Sequence, residues 1–239
     1  MPPDNLTIMD IRQKKERKFW DGFANTYDSF INRVFSKTYD SILANLNSDL
    51  NSAHNVLDIG TGTGVIPFNI CSKVSSVVGI DISPEMIGVA NQKQKKLNIR
   101  NVNFQVQDSY SLTFPDKSFD VVIASNLLHL LYEPDKALKE VKRVMKDNGI
   151  FIAPTLCAGE NAGKRITAVI TGALFGFMVV HKWSINEFKD MLKENGFVES
   201  RTVIVEGKIP LAYIVLRKNT RPFEDKVLTR AGHKPDLLF

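Results

Sequence analysis

Hydrophobic positions change their period part-way along the chain. From residue 10 to residue 47, Phe19, Phe23, Tyr27, Phe30, Ile31 and Val34 recur every three to four residues among polar neighbours, which predicts a helical N-terminal lobe. From Asn55 onward, short β-branched runs alternate with helical stretches, as in β-α-β units that build a parallel sheet. Strands are expected at 55–59, 76–80, 102–107, 119–124, 150–154, 202–206 and 211–216, with helices near 64–73, 84–97, 134–145, 162–180 and 185–195. Ser83-Pro84 and Glu133-Pro134 put proline in a first helical turn, and Gly196 supplies a stop after Asn195. Only Gly207 to Pro210 separates the last two strands, so they read as a hairpin and the final strand should run antiparallel to the rest. The expected fold class is therefore α/β, a Rossmann-like doubly wound seven-stranded sheet with an N-terminal helical cap and a helical insertion after the fifth strand. Its parts are a cap at 1–47, the α/β domain at 48–217 with a lid helix at about 162–180, and a polar, basic C-terminal tail at 218–239, expected to lie loosely on the surface.

Composition narrows the class. The apolar share of 44% and charged share of 24% are those of an ordinary globular chain, and 239 residues bury a full core in one domain with a small cap. The net charge of +5 is scattered rather than gathered in a block, which favours solubility over nucleic-acid binding. Cys71 and Cys157 stand alone, with no spacing for a disulfide framework or a zinc site, so no metal is expected and a reducing cytoplasm fits. No secretory signal is legible at the start. The apolar run 166–180 would rise only about 22 Å as a helix, against a hydrocarbon thickness of roughly 30 Å. A core or lid helix is thus expected ahead of contact with a membrane surface, and both ahead of a span.

In a doubly wound sheet the ligand lies beyond the carboxyl ends of the strands, where the first strand-to-helix turn leads into the crevice. That turn is Asp58-Ile59-Gly60-Thr61-Gly62-Thr63-Gly64, whose glycines let the backbone bend sharply and approach a ligand. Its spacing is G-x-G-x-G rather than the dinucleotide G-x-G-x-x-G, and Asp58 would sit badly beside a pyrophosphate. An acid there suits a ligand with a cationic end and no phosphate. Asp81 stands at the end of the second strand, where a carboxylate can accept both hydroxyls of a ribose. Asp108-Ser109-Tyr110 and Ser125-Asn126-Leu127-Leu128-His129 follow the third and fourth strands, so polar residues converge from four strand ends.

The strings VLDIGTGTG, VVGIDISPEMI, FPDKSFDVVIASNLLHLL and EPDKALKEVKRVMKDNGIFI resemble class I S-adenosylmethionine-dependent methyltransferases. Within that class they are most similar to the small-molecule branch of the ubiquinone/menaquinone-biosynthesis C-methyltransferases. The resemblance covers residues 19–154, with only the strand pattern shared afterwards. It implies S-adenosyl-L-methionine as the cofactor and S-adenosyl-L-homocysteine as its product. It places Asp58, Gly60, Thr61 and Gly62 at the methionine moiety, Asp81 at the ribose, Ile82 and Met86 on the adenine face, and Asp108 and Ser109 at the adenine amino edge. Tyr27 would close over the cofactor, and Ser125 and Asn126 would border the loop where methyl meets acceptor. Asp147-Asn148-Gly149 stands where relatives carry Pro-Gly-Gly, with residues that tolerate left-handed turn angles.

Methyl transfer asks for in-line placement of the acceptor atom and exclusion of water, with a general base for less acidic acceptors. His129 is the candidate catalytic residue, and Cys157 and Glu160 are expected to face the same region. Ile170, Leu174, Phe175, Phe177 and Met178 offer an apolar roof, which points to a small hydrophobic or aromatic acceptor with O, S, N or C left open. A catalytically silent cofactor-binding sensor or assembly protein remains an alternative, as does a protein or RNA methyltransferase. Against the latter there is no appended RNA module and no Asn-Pro-Pro-Tyr loop. The protein is expected to act as a monomer or homodimer without nucleic acid. One pentapeptide recurs after twelve residues, Thr26-Tyr27-Asp28-Ser29-Phe30 and Thr38-Tyr39-Asp40-Ser41-Ile42, too little for a repeat architecture.

Overall fold

The computed structural model describes residues 8–166 and 179–219. Two helices, α1 (Ile8–Val34) and α2 (Ser36–Asp49), precede the sheet; the chain breaks between them at Phe35, so the N-terminal lobe is a helix pair. Strands β1 (Asn55–Ile59), β2 (Ser76–Asp81), β3 (Val102–Val106) and β4 (Phe119–Ile123) follow, with α3 (Val65–Ile70) and α4 (Pro84–Leu97) as crossovers. Then come α5 (Pro134–Val144), β5 (Met145–Ile152), the two-residue β6 (Thr155–Leu156), α6 (Ile185–Glu194), β7 (Phe197–Val205) and β8 (Leu211–Lys218).

Strand order is β3-β2-β1-β4-β5-β8, with β7 on the far side of β8. β5 and β6 pair with β8 in one unbroken register, from Phe151↔Leu216 to Leu156↔Leu211, so they lie end to end on one side of it. Seven strand positions result. β1 through β5 are mutually parallel and β8 is antiparallel to both neighbours, as the short hairpin requires. β7 starts at Phe197, earlier than the sequence suggests, and carries an irregularity between Glu199 and Arg201.

The alternation of strand side chains sorts the core into two layers. Val56, Val77, Val121 and Ile123 point to the side covered by α2, α3 and α4 through Ile42, Leu46, Ile66, Ile70 and Ala90. Leu57, Ile59, Ile80 and Val122 point to the other, covered by α5 and α6 through Leu138, Val141, Phe188 and Leu192. Helices on both faces explain why the parallel strands read as near-continuous apolar runs. Local signals fix the helix ends. Ser83 caps α4 by accepting the Met86 N–H at 3.1 Å with Pro84 beside it, and Ser184 with Glu187 forms a capping box at α6. Asp49 ties α2 to the sheet by accepting from Tyr213 Oη at 2.7 Å and from the Arg201 guanidinium.

The residues Asp147-Asn148-Gly149 carry no left-handed angle; the expected turn takes the form of a bulge in β5, where pairing with β4 jumps from Phe119↔Met145 to Val121↔Ile150. The expected helix at 162–180 is helical at 162–166; Val179 and Val180 are not, and 167–178, with the roof residues Ile170, Leu174, Phe175, Phe177 and Met178, lie outside the described residues. Most of the expected tail, 220–239, also lies outside them. Among the described residues no helix is long and apolar enough to cross a membrane.

Candidate functional site

β1 has β2 on one side and β4 on the other, so the strand order reverses beside it and a crevice opens at their carboxyl ends. The glycine loop sits there. Gly60 and Thr61 donate to the Ile80 carbonyl at 2.8 and 2.9 Å, folding the loop back over β2. Gly60 has φ +71°, and a Cβ there would come within 2.9 Å of Leu127 on the β4 loop. Gly62 has φ +55° and faces the Tyr27 ring, 3.3 Å from where its Cβ would be. Left-handed angles and close approach both demand glycine at these two positions.

Gly60 and Gly62 share one cavity with Tyr27, Asp81, Ile82 and Met86. Asp108, Ser109, Ser125 and Asn126 line it too. The Asp81 carboxylate accepts the Gly62 N–H through Oδ2 and the Ser83 N–H through Oδ1, each at 2.9 Å. Burial nevertheless pushes it up to about 6, against the pull of these backbone donors. Two of the expected residues lie beneath the cavity rather than on its wall. Thr61 donates to Asp58 Oδ2 at 2.7 Å, and Asp58 is 2% exposed and pushed up to about 7 by burial, with the Asp81 charge adding to the rise. Asp58 is thus a buried carboxyl behind the glycine loop.

The sequence reading missed Trp20, Gln107, Leu127, Leu130 and Leu131 on the same wall. Trp20 was within reach: it lies seven residues before Tyr27, hence on the same face of α1. Polar contacts stitch α1 over the crevice. Asp28 accepts from Thr63 Oγ1 at 2.5 Å and from Lys93 Nζ at 2.8 Å, while Asp21 accepts from Ser83 Oγ at 2.6 Å.

A second cavity adjoins the first, sharing Trp20, Tyr27, Asn126 and Leu130 with it. Its walls are mainly apolar: Phe23, Phe30, Ile31 and Phe35 come from the N-terminal helices, and Leu156, Val179 and Ile209 from the far end of the sheet. Phe23 meets Tyr27 and Phe30 edge to face at 5.9 and 5.2 Å, so the aromatic wall is rigidly packed. His129 lines this second cavity, not the first. It is 5% exposed, its Nδ1 has no hydrogen-bond partner among the described residues, and its carbonyl accepts the N–H groups of Val180 and His181. Burial, with the nearby His181, lowers it to about 4, so its ring is neutral at physiological pH.

Cys157 and Glu160 line neither cavity. Cys157 belongs to the core, its thiol pushed up to about 12 by burial, and Glu160 accepts the Ile185 N–H at the start of α6. Gly159 explains the neighbouring path: its Cβ would fall 2.1 Å from the Ser184 nitrogen, so only glycine lets segment 179–184 pass.

The first cavity fits a cofactor that is cationic and carries no phosphate. Two carboxylates, Asp81 and Asp108, line it, and no Lys or Arg does among the described residues. Ile82, Met86 and Leu131 offer an apolar shelf for a flat base. The fold and this cavity define an S-adenosylmethionine-dependent methyltransferase, and the chain belongs to the methyltransferase-domain family, whose model matches residues 50–197. It is 29% identical to the ubiquinone/menaquinone biosynthesis C-methyltransferase UbiE of Citrifermentans bemidjiense over 233 aligned residues, 87% of this chain and 99% of that protein. It is 34% identical to the uncharacterized methyltransferase YcgJ of Bacillus subtilis over 120 residues, 50% of this chain and 47% of that one. An S-adenosylmethionine-dependent methyltransferase from Aquifex aeolicus superposes with a TM-score of 0.61 at 23% identity, covering 82% of this chain and 97% of that one. That last likeness concerns the fold.

Proposed function

We propose that this enzyme transfers a methyl group to a small apolar or aromatic acceptor held in the second cavity. The observation that carries the reading is the aromatic-walled cavity adjoining the donor cavity through Trp20, Tyr27, Asn126 and Leu130. An indented, aromatic-walled cavity of this kind suits a small molecule rather than a folded macromolecule. The name of the UbiE relative, a quinone-biosynthesis enzyme, points the same way.

Bound S-adenosylmethionine supplies an electrophilic methyl on a sulfonium. The chain's own residues would do the rest. Asp81 takes the ribose hydroxyls, Ile82 and Met86 flank the adenine, and Asp108 and Ser109 meet its amino edge. Gly60 and Gly62 cradle the methionine end, with Thr61 holding Asp58 behind them as a buried counter-charge. Asn126 stands where the two cavities meet, with Ser125 beside it on the wall of the first. His129, neutral with an unpartnered Nδ1, accepts the hydrogen of a hydroxyl acceptor. The cap at 1–47 gives the acceptor its walls, and the α/β domain at 48–217 the donor. A small-molecule partner follows from this reading.

The test supplies labelled S-adenosylmethionine with a panel of phenols, thiols, amines and quinols and reads products by mass. A methylated small aromatic, lost in His129→Asn while S-adenosylhomocysteine still binds, supports the proposal. Label appearing only in protein or RNA refutes it.

A further inference from the structure

The recurring pentapeptide has no part in the donor site beyond Tyr27 and Asp28. In the fold its two copies fall on successive helices, α1 and α2, and bring the phenol oxygens of Tyr27 and Tyr39 to 3.4 Å from each other. Tyr39 is 8% exposed, lines the second cavity and does not reach the first; Tyr27 lines both. The pair therefore stands at the junction, in a cavity whose other walls are mainly hydrocarbon.

Hydrogen accounting gives the pair a task. Two phenols carry two O–H hydrogens, and the contact between them uses one. The Asn126 side chain lies beside Tyr39, its oxygen accepting the Leu156 N–H at 3.2 Å. Neither hydroxyl makes a further hydrogen bond among the described residues. One phenolic hydrogen is left without a partner among the described residues, at the junction of the two cavities, where an unpaired buried polar group is unfavourable. Burial raises both tyrosines above their ordinary value, so both stay protonated donors at physiological pH. His129 lines the same cavity, and its Nδ1, buried in the wall, has no partner among the described residues.

We propose that the Tyr27–Tyr39 pair, steadied by Asn126, binds an oxygen atom carried by the otherwise apolar acceptor, and that Tyr39 is a specificity-determining residue of this enzyme. The inference rests on the second cavity being the acceptor site. An acceptor with a hydroxyl or carbonyl completes the hydrogen bonds of the pair; a pure hydrocarbon of the same shape leaves the donor unpaired. Sites built to bond a hydroxyl discriminate strongly against analogues that lack it.

The experiment uses the full chain saturated with S-adenosylhomocysteine, and the matched probes 4-propylphenol and propylbenzene, titrated by ligand-observed NMR. The parent should prefer the phenol at least roughly tenfold. Tyr39→Phe, which keeps the ring and lies outside the donor cavity, should bind S-adenosylhomocysteine unchanged by calorimetry and bind propylbenzene as before, with the preference reduced to about twofold or less. Equal binding of both probes to the parent overturns this inference alone. Equal weakening of both probes in Tyr39→Phe overturns it too, because a structural role would do that. Binding of neither probe to the loaded parent refutes the acceptor-site reading and this inference with it.

Discussion

Replacing Asp81 by Asn separates what this carboxylate does for the fold from what it does for the cofactor. Its two oxygens hold the Gly62 and Ser83 N–H groups at 2.9 Å each, and an Asn of the same shape has one oxygen, so one N–H would face an NH2. A hydrogen bond to a charged acceptor lost in this way is worth about 1.5–3 kcal/mol. Against that stands the burial penalty. A rise from 3.8 to about 6 opposes the charged form by about 3 kcal/mol at neutral pH. Asp81 is only partly buried, so solvent screening reduces that to about 1–2 kcal/mol. The two effects nearly cancel. Asp81→Asn should therefore unfold in urea within about 1 kcal/mol of the parent at pH 7.5. Cofactor binding has no such compensation: a charged acceptor for the ribose hydroxyls is gone, and affinity should fall by about 1.5–3 kcal/mol, roughly 10- to 150-fold in Kd. Calorimetric titration with S-adenosylmethionine and S-adenosylhomocysteine measures the second quantity on protein whose stability is known from the first. Binding within threefold of the parent would refute Asp81 as the ribose anchor; a stability loss well above about 3 kcal/mol would show that the loop contacts dominate.

The raised carboxylates make binding pH-dependent. Asp58, at about 7, and Asp81, at about 6, hold protons in the fold that the unfolded chain gives up near pH 4, so they lower stability as pH climbs through that interval and no further above it. A cationic cofactor favours their charged forms and should bind more tightly as pH rises from about 5.5 to 7.5, releasing protons that calorimetry in buffers of different ionisation enthalpy detects. Gly64→Ala places a Cβ 2.7 Å from Phe104 and 2.8 Å from Phe68 at φ +83°, and should destabilise by about 2–4 kcal/mol in denaturant titrations. Because Gly64 lines neither cavity, the folded fraction should keep its affinity for S-adenosylhomocysteine. Gly159→Ala pushes against backbone of segment 179–184; hydrogen exchange at the Val180 and His181 amides, which bond the His129 carbonyl, should quicken, and acceptor binding should weaken while cofactor binding stays.

The sheet was legible because parallel strands covered on both faces announce themselves as apolar runs, and α4 because Ser83-Pro84 states its beginning. Elements without a local signal were not. The 3-10 turn Leu128–Leu130 and the two-residue β6 exist through tertiary contact, and the first half of β7 looks polar because that strand pairs on one side only. The donor cavity was largely readable from strand ends, since topology brings those ends together whatever the side chains. Its depth was not: nothing in Asp58-Ile59-Gly60-Thr61 says that the acid and the hydroxyl turn inward and bond each other. The wall of the second cavity was least readable, because it forms where Phe23 and Phe30 of α1 and Phe35 between the helices, separately ordinary residues, meet Leu156 and Ile209 from the other end of the chain.

The two cavities draw on different stretches of sequence. Donor contacts come chiefly from the turns after β1, β2 and β3, whereas most aromatic surface of the second cavity comes from α1 and α2. Heredity can act on them separately. If the second cavity holds the acceptor as proposed, substitutions in the first fifty residues change which molecule is methylated, and exchanging this helix pair between related enzymes should yield new acceptors. Such an exchange must keep Trp20 and Tyr27, which serve both cavities, and Asp21 and Asp28, which bond Ser83 and Thr63 beside the cofactor turns.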